Sequence, residues 1–180
     1  SGLFNFFKKK KIDIIIHLAA QAGVRYSLIN PKSYIENNVV GFFNVIDLTK
    51  KYKVKNIIYA STSSIYGIQS KFPIKENFDT SNPTQLYAAT KKSNEVIAAS
   101  YSKLYNINTI GLRFFTVYGP WGRPDMAPIK FTKNIIQGKS IEVFNRGKHS
   151  RDFTFVEDIV DGIFKIIKKK KKVSKNKIYN

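Results

Sequence analysis

The chain contains no cysteine, two histidines and one methionine among its 180 residues. The absence of cysteine excludes a disulfide scaffold, a cysteine nucleophile and a thiolate metal site. The two histidines, His17 and His149, are too few for a histidine-based metal site, so we expect no bound metal. No apolar run approaches the roughly 20 residues that a membrane-spanning helix needs, and no secretory signal is recognisable. We therefore expect a cytoplasmic protein without a membrane partner.

Acidic residues are also scarce, with 12 Asp and Glu against 31 Lys and Arg and a net charge of +19. Such a charge favours a nucleic-acid partner when it is taken alone. However, only five of these basic residues are arginines, the side chain that base-edge recognition favours. Nine of the lysines lie in two runs, at residues 8–11 and 168–172. We interpret the charge as a property of solvated surfaces and expect no nucleic-acid partner.

Short apolar runs rich in β-branched residues occur at 12–19, 54–60 and 107–115. They predict strands buried on both faces of a parallel sheet. Apolar residues at helical spacing predict a helix at 33–52, and a second helix, at 84–106, is predicted after Pro83, so that helices lie between these strands. This alternation predicts an α/β fold with a doubly wound parallel sheet. The remaining predicted elements are helices at 129–137 and 155–168, a short strand at 141–144 and a strand from 177 to 180.

Ligands of such sheets bind beyond the carboxyl ends of the strands. Tyr87 and Lys91 are four residues apart and lie on one face of the helix that follows the second strand. A nearby ammonium group favours the phenolate and lowers a tyrosine pKa from about 10 toward neutrality, which makes a general base for a hydroxyl group. The alternative is an ordinary solvated helix face.

Four consecutive hydroxyl side chains, residues 61–64, follow the second strand at the same predicted edge. They are suited to orient a substrate oxygen or carboxylate, or, alternatively, they form a polar loop that caps a helix. His17 ends the first strand, and we interpret it as a strand-end or core histidine rather than a ligand.

Six further segments form a pattern along the chain. They are HLAA at 17–20, NNVVG at 37–41, STSSIYG at 61–67, YAATK at 87–91, LRFFTVYGPWGRPDM at 112–126 and RDFTFVEDIVDGI at 151–163. In this order and at this spacing the segments resemble the extended short-chain dehydrogenases, the NAD-dependent sugar epimerase/dehydratase family. The resemblance implies a Rossmann-like sheet, part of which is present here, together with part of a smaller C-terminal substrate domain.

The resemblance also implies NAD as the cofactor, a UDP-sugar as the substrate, and catalysis by Thr62, Tyr87 and Lys91. For two of the residues implied to contact the substrate an alternative stays open. Arg25 could instead form a structural ion pair, and Arg151 could instead be an ordinary surface arginine. The residues implied to contact NAD are Ala19, Ala20, Asn38, Tyr87 and Lys91. The residues implied to contact the substrate are Arg25, Ser63, Ser64, Thr116, Arg123 and Arg151.

Within the family, the segments at 19–27 and 113–126 most resemble those of epimerases that convert UDP-glucuronate to UDP-galacturonate. Family dehydratases usually carry an Asp-Glu pair where Ser63 and Ser64 stand, which argues against dehydration. The alternatives are a UDP-glucose 4-epimerase-like or other nucleotide-sugar enzyme, and a non-catalytic fragment or basic binding module.

The family's Gly-rich phosphate-binding turn and the acidic residue that follows it are not found in the sequence. We therefore expect a fragment that is inactive alone. Residues 1–120 are expected to form the later part of the NAD-binding domain, and residues 121–180 part of the nucleotide-sugar-binding domain with returning elements. The resemblance further implies a homodimer of the full-length protein through the helices near 33–52 and 84–106.

Overall fold

The computed structural model describes residues 2–69, 71–148, 150–169 and 175–180. His149 and most of the second lysine run lie outside the described residues. The chain divides into two compact units, one of residues 1–114 with 170–180 and the other of residues 115–169. Within the described ranges, no helix is long and apolar enough to cross a membrane.

The secondary structure alternates between strands and helices. The strands are β1 (Ile14–His17), β2 (Asn56–Thr62), β3 (Asn108–Phe114), β4 (Thr116–Tyr118), β5 (Phe153–Phe155) and β6 (Asn176–Tyr179). The α-helices are α1 (Gly2–Lys9), α2 (Tyr26–Ile29), α3 (Pro31–Tyr34), α4 (Gly41–Lys51), α5 (Leu86–Tyr105), α6 (Ala127–Ile136) and α7 (Val156–Lys168). A π-helical segment, Ile35–Val40, joins α3 to α4, and 3₁₀ turns occupy Ser63–Tyr66 and Phe144–Gly147.

The first unit is built on a parallel sheet with the strand order β1-β2-β3-β6. This confirms the α/β class and the parallel, Rossmann-like arrangement predicted from the sequence. The prediction that all three early strands are buried on both faces is wrong for β1. On one face of β1 the Ile16 side chain is 42% exposed, and within the described residues the strand is also paired along one edge only, with β2. β2 and β3 lie inside the sheet and are buried along most of their length.

Helices α4 and α5 provide the apolar cover of the central strands. The core joins Phe42 and Ile46 of α4, Ile57 and Tyr59 of β2, and Ala98 of α5. All five side chains are fully buried. Because these residues recur at helical spacing in the helices and at alternate positions in β2, the apolar pattern of the sequence determines which face of each element is buried.

Local signals set the helix ends. Pro31 begins α3, and the Asn30 side chain caps this helix by accepting a hydrogen bond from the Ser33 backbone N–H. Helix α5 ends at its C-terminal side with Asn106, whose φ of 56° and ψ of 41° give the left-handed conformation common after a helix.

Gly111 marks a close approach between β3 and its neighbours. A Cβ atom built there would lie 2.6 Å from Ile178 Cδ1 and 2.7 Å from the Tyr59 hydroxyl. The isoleucine methyl can move, whereas the Tyr59 ring is fully buried against Phe42. We expect Gly111→Ala to lower the free energy of unfolding by about 1–3 kcal/mol, as overpacking of a core does.

Gly162 is the matched control for this prediction. It lies in α7, and a Cβ atom there would meet nothing within 4 Å. Gly162→Ala should therefore raise the free energy of unfolding by about 0.5–1 kcal/mol, because alanine is the better helix former. Chemical denaturation of both variants measures the two effects, and a Gly111→Ala protein as stable as Gly162→Ala would contradict the packing argument.

The second unit contains a two-stranded parallel sheet, β4 with β5, together with α6 and α7. Tyr118 of β4 packs on Phe153 and Phe155 of β5. Neither strand was predicted as such, and the predicted strand at 141–144 is wrong, because these residues form no strand and a 3₁₀ turn begins at Phe144. A three-residue strand leaves little periodicity in a sequence, so its pairing partner decides whether it forms.

Candidate active site

Tyr87 and Lys91 occupy successive turns at the start of α5, where the sequence placed them. The Lys91 side chain is 2% exposed, and its Nζ atom donates a hydrogen bond to the carbonyl oxygen of Ala60 at 2.9 Å. Burial lowers the pKa of Lys91 from 10.5 to about 8. The ammonium is thus held against the end of β2 and is more easily deprotonated than a surface lysine. The Tyr87 ring lies edge-on to Tyr34, with ring centroids 6.1 Å apart.

Thr62 is the last residue of β2 and is buried. Its Oγ1 accepts a hydrogen bond from the Ser64 backbone N–H at 3.2 Å and donates one to Ser64 Oγ at 3.2 Å. The hydroxyl cluster is therefore not simply a loop after the strand. Ser61 and Thr62 complete β2, and Ser63 and Ser64, both half-buried, open the 3₁₀ turn that Thr62 caps.

Asn38 lies in the π-helical segment and is buried. Its Nδ2 donates to the Gln21 carbonyl at 3.0 Å and to Thr90 Oγ1 at 3.1 Å, and its Oδ1 accepts from the Gln21 N–H at 2.8 Å. Thr90 Oγ1 in turn donates to the Tyr87 carbonyl at 2.8 Å. The Asn38 amide thereby ties the segment after β1 to the helix that carries Tyr87 and Lys91.

A cavity of about 400 Å³ lies at the carboxyl end of β1. Its lining includes Ala19 and Ala20, whose small side chains let a ligand approach the backbone. His17 also lines it and packs on Phe42 with ring centroids 5.6 Å apart. Burial, with a smaller effect of the Lys91 charge, lowers the pKa of His17 to about 4, so its ring is neutral at pH 7. The remaining lining residues are Gln21, Glu36, Asn37 and Gly41.

These observations fit NAD as a ligand of this edge. An ammonium group has three N–H donors. In this structure Lys91 uses one of them in its hydrogen bond to the Ala60 carbonyl, so the other donors remain for ribose hydroxyls. The cavity beside β1 has the size of ordinary ligand sites.

The other predicted substrate residues are more exposed. Arg25 is exposed immediately before α2. The second unit carries Thr116, Arg123 and Arg151. Thr116 is half-buried at the start of β4, and Arg151 is exposed, with its Nη1 donating to the Ser150 carbonyl at 2.9 Å. Arg123 follows β4 and donates from Nε to Asp125 Oδ1 at 2.6 Å.

Sequence reasoning missed a buried polar cluster next to Lys91. Glu95 lies one turn further along α5 and forms a bidentate ion pair with Arg113 of β3, and Ser61 donates to Glu95 Oε1 at 2.6 Å. The signal available in the sequence was a glutamate at the spacing that continues the face of Tyr87 and Lys91. The identity of its partners was not available, because they lie on two other elements.

Comparison with known proteins gives close relatives over most of the chain. The protein CapI of Staphylococcus aureus is 52% identical over 167 residues, which are 93% of this chain and 50% of CapI. A probable UDP-glucuronate 4-epimerase of Rhizobium meliloti (strain 1021) is 53% identical over 154 residues, covering 86% of this chain and 45% of that protein. The chain thus spans about half the length of the curated relatives it matches.

Among solved structures, the chain is similar to the UDP-glucuronic acid 4-epimerase of Bacillus cereus in complex with UDP-glucuronic acid and NAD. The TM-score is 0.92 at 33% sequence identity, and the match covers 100% of this chain and 56% of that one. The family model described as "NAD dependent epimerase/dehydratase family" matches residues 1–180. The geometry at the ends of β1 and β2 and these matches agree, and the chain belongs to the NAD dependent epimerase/dehydratase family.

Proposed function

We propose that the complete protein is an NAD-dependent 4-epimerase of a UDP-sugar, and that this sugar is UDP-glucuronate, converted to UDP-galacturonate. The observation that carries the proposal is the placement of Tyr87 and Lys91 on one face of α5, with the buried Lys91 ammonium hydrogen-bonded to Ala60, two residues before Thr62 at the end of β2. This is a proton acceptor, a buried cation and a hydroxyl at the ligand-binding edge of a parallel sheet.

The three side chains have separate tasks. Tyr87 takes the proton of the sugar O4 hydroxyl and returns it at the end of the reaction. Lys91 favours the phenolate form that accepts this proton, since an ammonium stabilises a nearby anion. The Thr62 hydroxyl proton, which points to Ser64 Oγ in this structure, rotates about its C–O bond to hydrogen-bond O4.

Bound NAD supplies the acceptor and donor of the C4 hydride, so the reaction inverts one carbon without net oxidation. Lys91 would hold the nicotinamide ribose, and Ala19 and Ala20 would line the cofactor's path at the end of β1. Asn38 would also serve the cofactor site, because its side chain fixes the backbone of Gln21, the residue that follows Ala20.

Two observations favour UDP-glucuronate over other sugars. The resemblance implies that Ser63 and Ser64 stand where family dehydratases carry an acid–base pair, and two hydroxyl groups suit the recognition of a carboxylate. A relative described as a probable UDP-glucuronate 4-epimerase is 53% identical to this chain. Thr116, Arg123, Arg25 and Arg151 complete the proposed substrate contacts, the last two at the diphosphate.

The test is to incubate the complete protein with UDP-glucuronate and, separately, with UDP-glucose, and to follow both sugars by NMR. The proposal expects UDP-galacturonate to form without net accumulation of NADH. Preferred turnover of UDP-glucose would contradict the choice of UDP-glucuronate and indicate a 4-epimerase that acts on a different sugar. Steady accumulation of NADH would indicate a dehydrogenase, and absence of turnover with both sugars would favour the non-catalytic alternative.

Arg123 provides a prediction about substrate choice. Its Nε contacts Asp125, so a substrate carboxylate would meet the two Nη nitrogens. Arg123→Ala is expected to weaken the use of UDP-glucuronate by about 2–4 kcal/mol in kcat/KM, because the bound sugar would cover the Arg123 side chain, which is 42% exposed in this structure, and its carboxylate would lose a desolvated charged partner. Activity toward UDP-glucose, whose C6 hydroxyl is neutral, should change little.

The measurement is the ratio of kcat/KM for the two sugars in the wild type and in Arg123→Ala. Arg123→Lys should restore only part of the ratio, since an ammonium cannot form two parallel hydrogen bonds. Arg146→Ala, which removes another exposed arginine of the second unit, is the matched control. An unchanged ratio in Arg123→Ala would make Arg123 a structural residue of its loop.

We also propose the assembly and division of labour of the complete protein. Residues 1–120 would serve the cofactor and residues 121–180 the nucleotide sugar. Two copies would associate through the helices near 33–52 and 84–106, where Phe43, Val96 and Leu104 expose large apolar side chains in the single chain. Sedimentation of the complete protein measures this directly, and a monomer at micromolar concentration would exclude it.

A further inference from the structure

The cluster formed by Ser61, Glu95 and Arg113, called here the Glu95 cluster, takes no part in the mechanism proposed above. All three side chains are buried. Arg113 Nε donates to Glu95 Oε1 and Arg113 Nη2 donates to Glu95 Oε2, both at 2.9 Å. This bidentate pair holds a buried anion at a fixed place on α5.

Arg113 is itself held on its other side. Its Nη1 donates to the Tyr66 hydroxyl at 2.8 Å and to the Glu76 carbonyl at 2.9 Å. Tyr66 ends the 3₁₀ turn that begins with Ser63. Since the guanidinium is fixed by groups from three segments, the Glu95 carboxylate has little freedom to shift.

The carboxylate has two further contacts: Lys92 Nζ on the same helix lies 3.8 Å from Oε2, and the other contact is to the end of β2. Ser61 Oγ donates to Glu95 Oε1 at 2.6 Å. Ser61 stands between Ala60, whose carbonyl accepts the Lys91 Nζ hydrogen bond, and Thr62. Two side chains one turn apart on α5 therefore hold two consecutive residues of β2, directly before the residue that would meet the sugar O4.

We propose that Glu95 is a positioning residue which, through Ser61, fixes the end of β2 so that Thr62 and the acceptor of Lys91 stay aligned with the start of α5. This inference rests on the proposed function for its effect on turnover. Its structural part, the restraint on residues 60–62, stands independently of any substrate. Glu95 touches neither sugar nor cofactor in this scheme.

The test variant is Ser61→Ala. It removes the link to β2 but leaves the Glu95–Arg113 ion pair intact, so no buried charge loses its partner and the fold should be kept. We expect kcat of the complete protein to fall by about 10-fold to 100-fold, as small misplacements of reacting groups do. KM should stay within about threefold, because ground-state binding is not altered. Amide hydrogen exchange across residues 60–64 should become faster.

The matched control is Ser102→Ala. Ser102 is a buried serine on the same helix, and its Oγ donates to the Lys175 carbonyl near β6. This variant loses a comparable hydrogen bond and should lose a comparable amount of thermal stability, while kcat and the exchange of residues 60–64 stay at wild-type values. If Ser61 had a merely structural role, the two variants would be alike in kcat, in KM, in the exchange of residues 60–64 and in thermal stability.

The two proposals fail in distinguishable ways. If the wild type does not turn over UDP-sugars, the proposed function fails, and the exchange of residues 60–64 alone decides the positioning role. If the wild type is active and Ser61→Ala retains its kcat, the positioning role is overturned and the epimerase proposal stands. Unchanged exchange in Ser61→Ala overturns the positioning role in either case.

Discussion

Under the proposed function, replacing Tyr87 with phenylalanine is expected to lower the turnover of the complete protein by about 10²–10⁴-fold, the usual contribution of acid–base catalysis. The substitution removes only the hydroxyl oxygen. The ring keeps its edge-on contact with Tyr34, so the start of α5 and the binding of NAD should be retained. Initial rates of UDP-glucuronate epimerisation, with NAD affinity measured by calorimetry, separate the loss of chemistry from a loss of binding.

Tyr101→Phe is the matched control for this experiment. Tyr101 lies further along α5, and its hydroxyl donates to Asp47 at 3.3 Å. The control therefore removes a hydrogen-bonded phenol from the same helix at a distance from the ends of the strands. We expect its turnover to equal that of the wild type. Near-normal epimerisation by Tyr87→Phe would show that another group accepts the O4 proton.

Replacing Lys91 with methionine should make the protein more stable and inactive. Burial lowers the pKa of Lys91 to about 8 from 10.5, and each pKa unit corresponds to about 1.4 kcal/mol, so the buried charge costs the folded state about 3 kcal/mol. Losing the hydrogen bond to Ala60 removes about 1 kcal/mol of stability. The free energy of unfolding without cofactor at pH 7 should rise by about 2 kcal/mol, while turnover falls by about 10²-fold or more.

The pH dependence of stability identifies the cause. Below pH 8 Lys91 is charged in both the folded and the unfolded state, and the full cost applies. Between pH 8 and 10.5 the folded state has released the proton that the unfolded state still binds, so the wild type gains stability as the pH rises. Lys91→Met lacks this gain, so its advantage over the wild type should shrink across that window.

The control for Lys91→Met is Lys103→Met, which changes an exposed lysine in the last turn of α5. Surface substitutions of this kind usually change the free energy of unfolding by less than about 0.5 kcal/mol. Urea denaturation at pH 7 and pH 10 measures both variants. A Lys91→Met protein no more stable than the wild type at pH 7 would mean that the buried ammonium carries no net cost.

The elements that the sequence predicted correctly depend on local pattern. The helix at 33–52 has apolar residues at helical spacing, the strands at 54–60 and 107–115 are continuous apolar runs, and Pro83 precedes the helix at 84–106, so short windows were sufficient. The same reasoning placed Tyr87 and Lys91 on one helix face, because residues four apart are always neighbours in a helix.

Tertiary structure decided what depends on distant partners. β4 and β5 are three residues each and exist through their pairing with one another, while the apolar residues at 141–144 pair with no strand among the residues that the structure describes. Asn38 and Thr90 are 52 residues apart in the chain, and Ser61 and Glu95 are 34 apart. No spacing rule predicts such pairs, because whether two distant residues meet depends on the order of the strands in the sheet.

Lys91 shows the same division at a single residue. Its place on the helix face follows from the sequence alone, as does its four-residue spacing from Tyr87. Its burial, its Ala60 acceptor and its lowered pKa follow from the packing of α5 against the end of β2. The sequence by itself determined which residues share an element, whereas the tertiary structure decided which are removed from water, because desolvation depends on atoms contributed by other elements.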